Sequence, residues 1–178
     1  MTVLNKIRQP INEELKKFEI TFQHILKSKV PLLDIITNFI LQRKGKQMRP
    51  LLVFLSAKLL NEITSSTHTA AALIEILHTA TLIHDDVVDD SYERRGYFSI
   101  NALWKSKIAV LIGDYLLAQG LLLAINQNEY EVLRIVSNAV KEMSEGEILQ
   151  IRQSRKLSIT EEQYFEIIRK KTAALISA

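Results

Sequence analysis

From Ile74 to Asp90 the chain reads IEILHTATLIHDDVVDD, an apolar run closed by four carboxylates, and a turn then presents Arg94 and Arg95 ahead of Gly96. A helix built this way is a poor design for a core alone. Residues four apart share a helix face, so Asp85 and Asp89 stack with Asp86 beside them. All three sit near the negative end of the helix macrodipole, where they repel one another unless something positive compensates. A hard divalent cation does so. Mg²⁺ favours oxygen ligands, keeps several waters and is commonly held by one or two carboxylates together with phosphates. Arg94 and Arg95 add forked donors that match phosphate oxygens, completing what reads as a diphosphate clamp. The plain alternative is a solvated helix end beside a solvated arginine pair.

Composition narrows the fold around this stretch. The 178 residues fit one domain, 1–178, long enough to bury a good core. With 47% hydrophobic residues but only five glycines and three prolines, helices are favoured and the fold class is all-α. The absence of cysteine excludes a disulfide framework and a thiolate metal site, and is compatible with the cytoplasm. A net charge of +3, with no basic stripe interleaved with aromatics, gives no case for a nucleic-acid partner. The N-terminus lacks a signal-peptide pattern. The most apolar stretch, Ile108 to Ile125, is broken by Asp114 and Gln119. A charge at mid-bilayer costs about 3 kcal/mol on insertion scales, so a buried helix is the better reading than a transmembrane segment.

Helical spacing recurs along the chain. Ile11, Leu15, Phe18, Phe22, Ile25 and Leu26 mark a helix to Lys27, after Pro10 in its first turn. Pro31 opens a second helix, with Gly45 as its stop signal. Both read as packing elements, possible subunit-interface helices without chemistry. Lys46, Gln47, Met48, Arg49 and Pro50 form a basic loop leading into a helix from Leu51 to Asn61. A helix start carries unpaired N–H groups, so Lys46 and Arg49 there make an anion site; alone, the loop is an ordinary basic turn.

The central helix runs from about Ala70 to Asp90, with Thr67 or Thr69 as its cap. His78 lies two turns before Asp85 on the same face, while His84 is rotated by about 100° from Asp85 and reads as structural. Either histidine is also explicable as a hydrogen-bonded core residue. After a short turn through Trp104, the apolar helix Lys107 to Asn126 buries Asp114, which needs a partner, either a basic residue or the groups behind the metal ligands. The helix Glu129 to Arg155 carries Gly146 near its centre, where glycine costs about 1 kcal/mol relative to alanine and signals a close helix approach. Thr160 to Gln163 forms a capping box that opens the last helix.

The string from His78 to Asp89, followed by Arg94-Arg95-Gly96, resembles the first aspartate-rich motif of the trans-isoprenyl diphosphate (polyprenyl) synthases. Gly45-Lys46-Gln47-Met48-Arg49-Pro50 resembles that family's basic loop. Ile112-Gly113-Asp114-Tyr115-Leu116, Gly146-Glu147-Ile148-Leu149-Gln150 and Lys171-Thr172-Ala173 match its later landmarks in order. The resemblance implies an isoprenoid-synthase-type antiparallel helical bundle, a cytoplasmic homodimer, and condensation of isopentenyl diphosphate with an allylic prenyl diphosphate. It implies Mg²⁺ on Asp85, Asp86 and Asp89, and isopentenyl diphosphate on Lys46, Arg49, His78 and Arg95. Arg94 and Lys171 fall to the allylic diphosphate, Thr172 to steadying the cation near the reacting carbons, and Gln150 to the cavity wall. Gln47 stands where the family often has arginine, which weakens that hold.

Product length in the family depends on residues just before the first aspartate. Here Ala80 and Thr81 are small, which resembles the medium- and long-chain (octaprenyl-type) synthases, with Leu77 a deeper limit. The family's second aspartate-rich motif does not appear before Ala178. The expectation is therefore the N-terminal part of a bundle truncated to its first half to two-thirds, inactive alone and prone to self-associate over its uncovered face. Two other readings remain at this point. A non-catalytic partner subunit of a heteromeric synthase would explain a short chain, but usually tolerates loss of the aspartates. A terpene-cyclase-like diphosphate lyase would not need Lys46, Arg49 and His78.

Overall fold

Long stretches without glycine or proline are free to wind into helices, and they do so here. The structure, a computed structural model, describes residues 3–43, 45, 47–60, 62–94, 96–156 and 159–178, apart from the side chains of residues 155 and 156. Lys46 and Arg95, two expected site residues, lie outside the described residues. The order is α1 (Val3–Arg8), a 3₁₀ turn (Gln9–Ile11), α2 (Asn12–Leu26), α3 (Pro31–Gln42), α4 (Met48–Leu59) and α5 (Ser65–Val88). A hairpin of β1 (Glu93–Arg94) and β2 (Tyr97–Phe98) precedes α6 (Ile100–Asn126), α7 (Tyr130–Lys156), α8 (Glu161–Ile168), a π-helical turn (Arg169–Ala173) and α9 (Ala174–Ser177). The all-α class holds, with the hairpin as a small addition. Two compact units result, Met1–Asn128 and Glu129–Ala178.

In the first unit α5 is the central element. Its Ala71, Ala72, Leu73, Ile76 and Ala80 are buried, and the alanines allow neighbouring helices to come close. α2 contributes the expected stripe of Leu15, Phe18, Phe22 and Leu26. Phe18 stacks on Phe22 at 5.4 Å and meets the edge of Phe54 from α4 at 6.0 Å. Full burial of one such side chain contributes about 1.5–3 kcal/mol, so these aromatics anchor α2 and α4 in the core.

The cap of α5 falls earlier than the sequence reading places it. Thr64, not Thr67 or Thr69, is the N-cap: its Oγ1 accepts from the Thr67 backbone N–H, and Thr67 Oγ1 accepts from the Thr64 N–H at 3.1 Å. Three threonines compete for the role, and the pair spaced by three residues wins because each satisfies an orphan donor of the other. α3 likewise ends at Gln42 with Arg43 as its C-cap, ahead of the expected stop at Gly45.

α2 is also tied to α5 by charge. Glu14 accepts from Lys17 Nζ at 2.8 Å and from His68 Nε2 at 2.8 Å. The Lys17 hydrogen bond, and then that of His68, hold the Glu14 carboxyl below the usual carboxylate range. A carboxyl depressed in the folded state contributes stability at neutral pH that is lost as pH falls through its folded value. Glu14→Gln is therefore expected to be less stable than the parent at neutral pH, with the gap closing as pH falls below the ordinary carboxylate range in urea denaturation.

α6 lies along α5 through Ala109, Ile112, Gly113, Leu116, Gly120 and Ala124, all buried. Gly120 sits where a Cβ would meet Leu73 and Leu77 at 3.2 Å, so the two helices pack closely. The expected break after Trp104 falls at Lys105, whose φ of 67° interrupts the helical backbone. By length and composition α6 could cross a membrane, with a mean hydropathy of 2.0 in its most apolar window. The expectation of a fully buried helix needs correction: Leu111, Leu121, Leu122 and Ile125 are exposed, and the Asp114 side chain is 60% exposed. Within the first unit α5 packs along α6 and α2 also touches it, while Asp114 lies on an exposed part of the helix.

In the second unit α7 packs along α8, the π-turn and α9. The expected capping box at Thr160 and Gln163 is present. Gly146 makes the expected close approach, since a Cβ there would lie 2.8 Å from Lys170 Cβ and 3.0 Å from the Lys171 nitrogen. Successive basic residues of the π-turn then reach α7: Arg169 to Glu142 at 2.9 Å, Lys170 to Glu145 at 2.6 Å and Lys171 to Glu147 at 2.6 Å.

Candidate functional site: an aspartate helix end beside an arginine-lined cavity

α5 stops at Val88 with Asp89 as its C-cap, and the Asp89 N–H still donates to Asp85 O at 2.8 Å. Asp90 then turns the chain at a φ of 48°. The last turn thus carries Asp85 half-buried, Asp86 buried and Asp89 exposed. A buried carboxylate at the negative end of a helix needs a cation, and Arg94 supplies it. Its Nε and Nη2 both lie 2.7 Å from Asp86 Oδ1. The Asp86 carbonyl accepts from the Ser91 N–H at 2.9 Å and from Asn101 Nδ2 at 3.4 Å.

The loop carrying Arg94 is held by its own bonds. Ser99 Oγ donates to Ser91 O at 2.7 Å and accepts from the Ala102 N–H at 3.0 Å, so one side chain closes the loop and caps α6. The hairpin pairs Glu93 with Phe98 and Arg94 with Tyr97, and turns through Gly96 at a φ of 80°, a conformation glycine adopts without strain.

A cavity of about 800 Å³ opens beside this pair. Arg49 and His78, both expected site residues, line it together with Asp86 and Arg94. Arg49 is in the first turn of α4, behind Gln47, whose backbone is left-handed at a φ of 48°. Among the described residues four arginines (8, 43, 49 and 94) face the cavity against Glu75 and Asp86, an excess of positive charge suited to an anionic ligand. Leu77, Ala80 and Thr81 are not among its lining residues. Leu77 and Ala80 are buried, and the Thr81 hydroxyl donates to the His78 carbonyl at 2.9 Å. In the second unit Lys171 Nζ donates to Gln150 Oε1 at 3.0 Å, and Thr172 is exposed.

Asp85, Asp86 and Asp89 at the end of α5 offer only carboxylate oxygens, which suits a hard divalent cation, with Asp86 Oδ1 already held by Arg94. Among the described residues no three His, Asp or Glu side chains are drawn into one cluster. Mg²⁺ does not require that, because it keeps waters and shares phosphate ligands.

Sequence reasoning left His84 as a structural residue and did not see its partner. Its ring lies on Gly113 of α6: a Cβ there would come within 2.1 Å of His84 Nε2. Nε2 is 3.2 Å from the Val110 carbonyl and 3.5 Å from Asp114 Oδ1. A carbonyl only accepts, so Nε2 carries the proton in this contact. The signal was present in the Gly113-Asp114 pair. Arg8, Arg43 and Glu75 were missed because nothing in their local spacing marks them.

Fold and site together define a helical-bundle protein in which an aspartate-bearing helix end borders an arginine-rich cavity. Comparison with known proteins makes this specific: the chain belongs to the polyprenyl synthetase family, whose model matches residues 30–178. It is 35% identical to octaprenyl diphosphate synthase of Escherichia coli over 98% of this chain and 54% of that protein. Its fold matches a decaprenyl diphosphate synthase from Rhodobacter capsulatus with a TM-score of 0.91 and 36% identity, covering 97% of this chain and 53% of the other. A polyprenyl synthase from Caulobacter crescentus, solved with calcium and isoprenyl diphosphate, matches with a TM-score of 0.91 and 31% identity over 97% and 52%. The chain spans about half the length of the curated relatives it matches.

Proposed function

We propose that this chain forms the diphosphate-binding part of a Mg²⁺-dependent prenyltransferase that joins isopentenyl diphosphate to an allylic diphosphate and makes a medium- or long-chain polyprenyl diphosphate. The observation that carries the reading is the pairing of buried Asp86 with half-buried Arg94 at the wall of a cavity shared with Arg49 and His78. The octaprenyl synthase relative and the Caulobacter synthase bound to a divalent cation and isoprenyl diphosphate support it. A cytoplasmic homodimer belongs to the same reading, on the resemblance alone.

In this reading Asp85, Asp86 and Asp89 hold Mg²⁺, which when bound offsets the charge of the allylic diphosphate. Arg94 and Lys171 bind that diphosphate. Lys46, Arg49, His78 and Arg95 hold isopentenyl diphosphate, Gln150 borders the substrates and Thr172 steadies the cation. The allylic C1–O bond breaks with its electron pair leaving on diphosphate. The isopentenyl double bond then forms the new bond to C1, and loss of a proton restores a double bond one isoprene unit further on. Preorganised arginines stabilise the separated charge, and an apolar wall keeps water from capturing the cation. The part of Ala80, Thr81 and Leu77 in product length rests on the resemblance alone, since none of them lines the cavity among the described residues.

The test is transfer of radiolabelled isopentenyl units onto farnesyl diphosphate with Mg²⁺, products being sized by chromatography. The chain is assayed as it stands and fused to the remaining half of the E. coli relative. Labelled polyprenyl product is expected from the fusion, with Asp85→Asn lowering the rate roughly 100-fold or more. A fusion that folds yet gives no product, with no Mg²⁺-dependent binding of either diphosphate, overturns the reading.

A further inference from the structure

Arg43 stands at the C-cap of α3, and no motif includes it. Its guanidinium lies 3.5 Å over the Phe39 ring centroid and 4.8 Å from that of Tyr97, and its Nη1 donates to the Phe98 carbonyl at 3.2 Å. Phe39 belongs to α3, whereas Tyr97 and Phe98 form β2 of the hairpin. One side chain therefore joins two segments far apart in sequence. Across the hairpin Tyr97 is the partner of Arg94, which holds Asp86 on α5. The hairpin is thus gripped from both sides, by Arg43 at its second strand and through Arg94 at its first.

The geometry points to Arg43 as a positioning residue: a latch that seats the arginine-bearing hairpin against the end of α3, so that Arg94 keeps its place on the wall of the cavity it shares with Arg49. The role rests on the proposed diphosphate site. The chemistry suits arginine, whose flat guanidinium can lie against two rings while donating in its own plane, which a lysine ammonium cannot do. The latch also explains where α3 ends. Arg43 leaves helical geometry, at φ −105° and ψ 35°, in the conformation that sends its side chain to the hairpin. Arg43 lines the same cavity as Arg49 and Arg94, and direct contact with the ligand is the competing role.

The experiment uses the full chain with Arg43→Met, which keeps apolar packing on Phe39, and with Tyr97→Leu, which leaves Arg43 intact. Hydrogen exchange of the peptide spanning residues 92–99 reads the seating, and calorimetry with inorganic pyrophosphate and MgCl₂ reads its effect on binding. Each variant is expected to speed hairpin exchange about tenfold and weaken pyrophosphate about tenfold, with the double variant no worse than either single one. Unchanged hairpin exchange in Arg43→Met overturns the latch. So does a loss of pyrophosphate affinity in Arg43→Met that Tyr97→Leu does not share, because Arg43 would then touch the ligand itself. If the parent chain binds no pyrophosphate, the proposed function falls, and the exchange measurement alone decides the latch.

Discussion

Gly113→Ala is expected to lower the stability of the Met1–Asn128 unit by about 1–3 kcal/mol and to loosen the carboxylate turn of α5. The added methyl would fall 2.1 Å from His84 Nε2 and 2.4 Å from Cδ2, inside any tolerable contact. The imidazole must leave, and with it go the bond to Val110 O and the contact with Asp114. His84 immediately precedes Asp85, so the displacement reaches the proposed metal ligands without touching them. Urea denaturation gives the stability loss, and titration with pyrophosphate and MgCl₂ gives the weakening. The decisive control is Gly113→Ala combined with His84→Ala. Removing the ring makes room for the methyl, so the double variant should be more stable than the sum of the single losses predicts. Strict additivity would mean that His84 and Gly113 do not form the contact on which this prediction depends.

Asp86→Asn should cost about 1–2 kcal/mol, because the amide keeps the shape of the carboxylate but leaves the partly solvated Arg94 without its charge partner. The Asp86 side chain is only 6% exposed, whereas Arg94 is 37% exposed, so water takes up part of what the guanidinium loses. The hairpin should exchange its amides faster, while α2 and α4, anchored through Phe18 and Phe54, should remain protected. Adding Arg94→Met removes the stranded cation and should restore part of the stability without restoring pyrophosphate binding. Recovery of binding in that double variant would show that neither residue takes part in holding the diphosphate.

Much of this was legible from local patterns. The stripe of α2, the break before the long part of α6, the capping box at Thr160 and the close approach at Gly146 each follow from rules that act within a few residues. The aspartate-rich end of α5 was readable for the same reason. What escaped depended on contacts between distant segments. Arg43 looks like an ordinary C-terminal basic residue until β2 is folded beside it. The competition among Thr64, Thr67 and Thr69 was settled by a reciprocal bond that composition does not rank. Asp114 was placed in a buried setting because hydropathy along α6 is nearly uniform, and a uniform helix does not reveal which side its neighbour will take. The Gly113-Asp114 pair carried information about His84, twenty-nine residues earlier, that only the packing of α5 on α6 makes visible.

Phe39 has a second neighbour with a use of its own. Trp104, the chain's single tryptophan, stands edge-on to the Phe39 ring at 4.9 Å and 87°, and Arg43 lies over the same ring. The protein thus carries one tryptophan, which can be excited apart from its five tyrosines, one aromatic ring away from its latch. Its emission maximum and its quenching by iodide give an optical record of whether the hairpin is seated, at micromolar protein and without a label. A stopped-flow fluorimeter can then follow seating in real time, on a scale of milliseconds that hydrogen exchange does not reach.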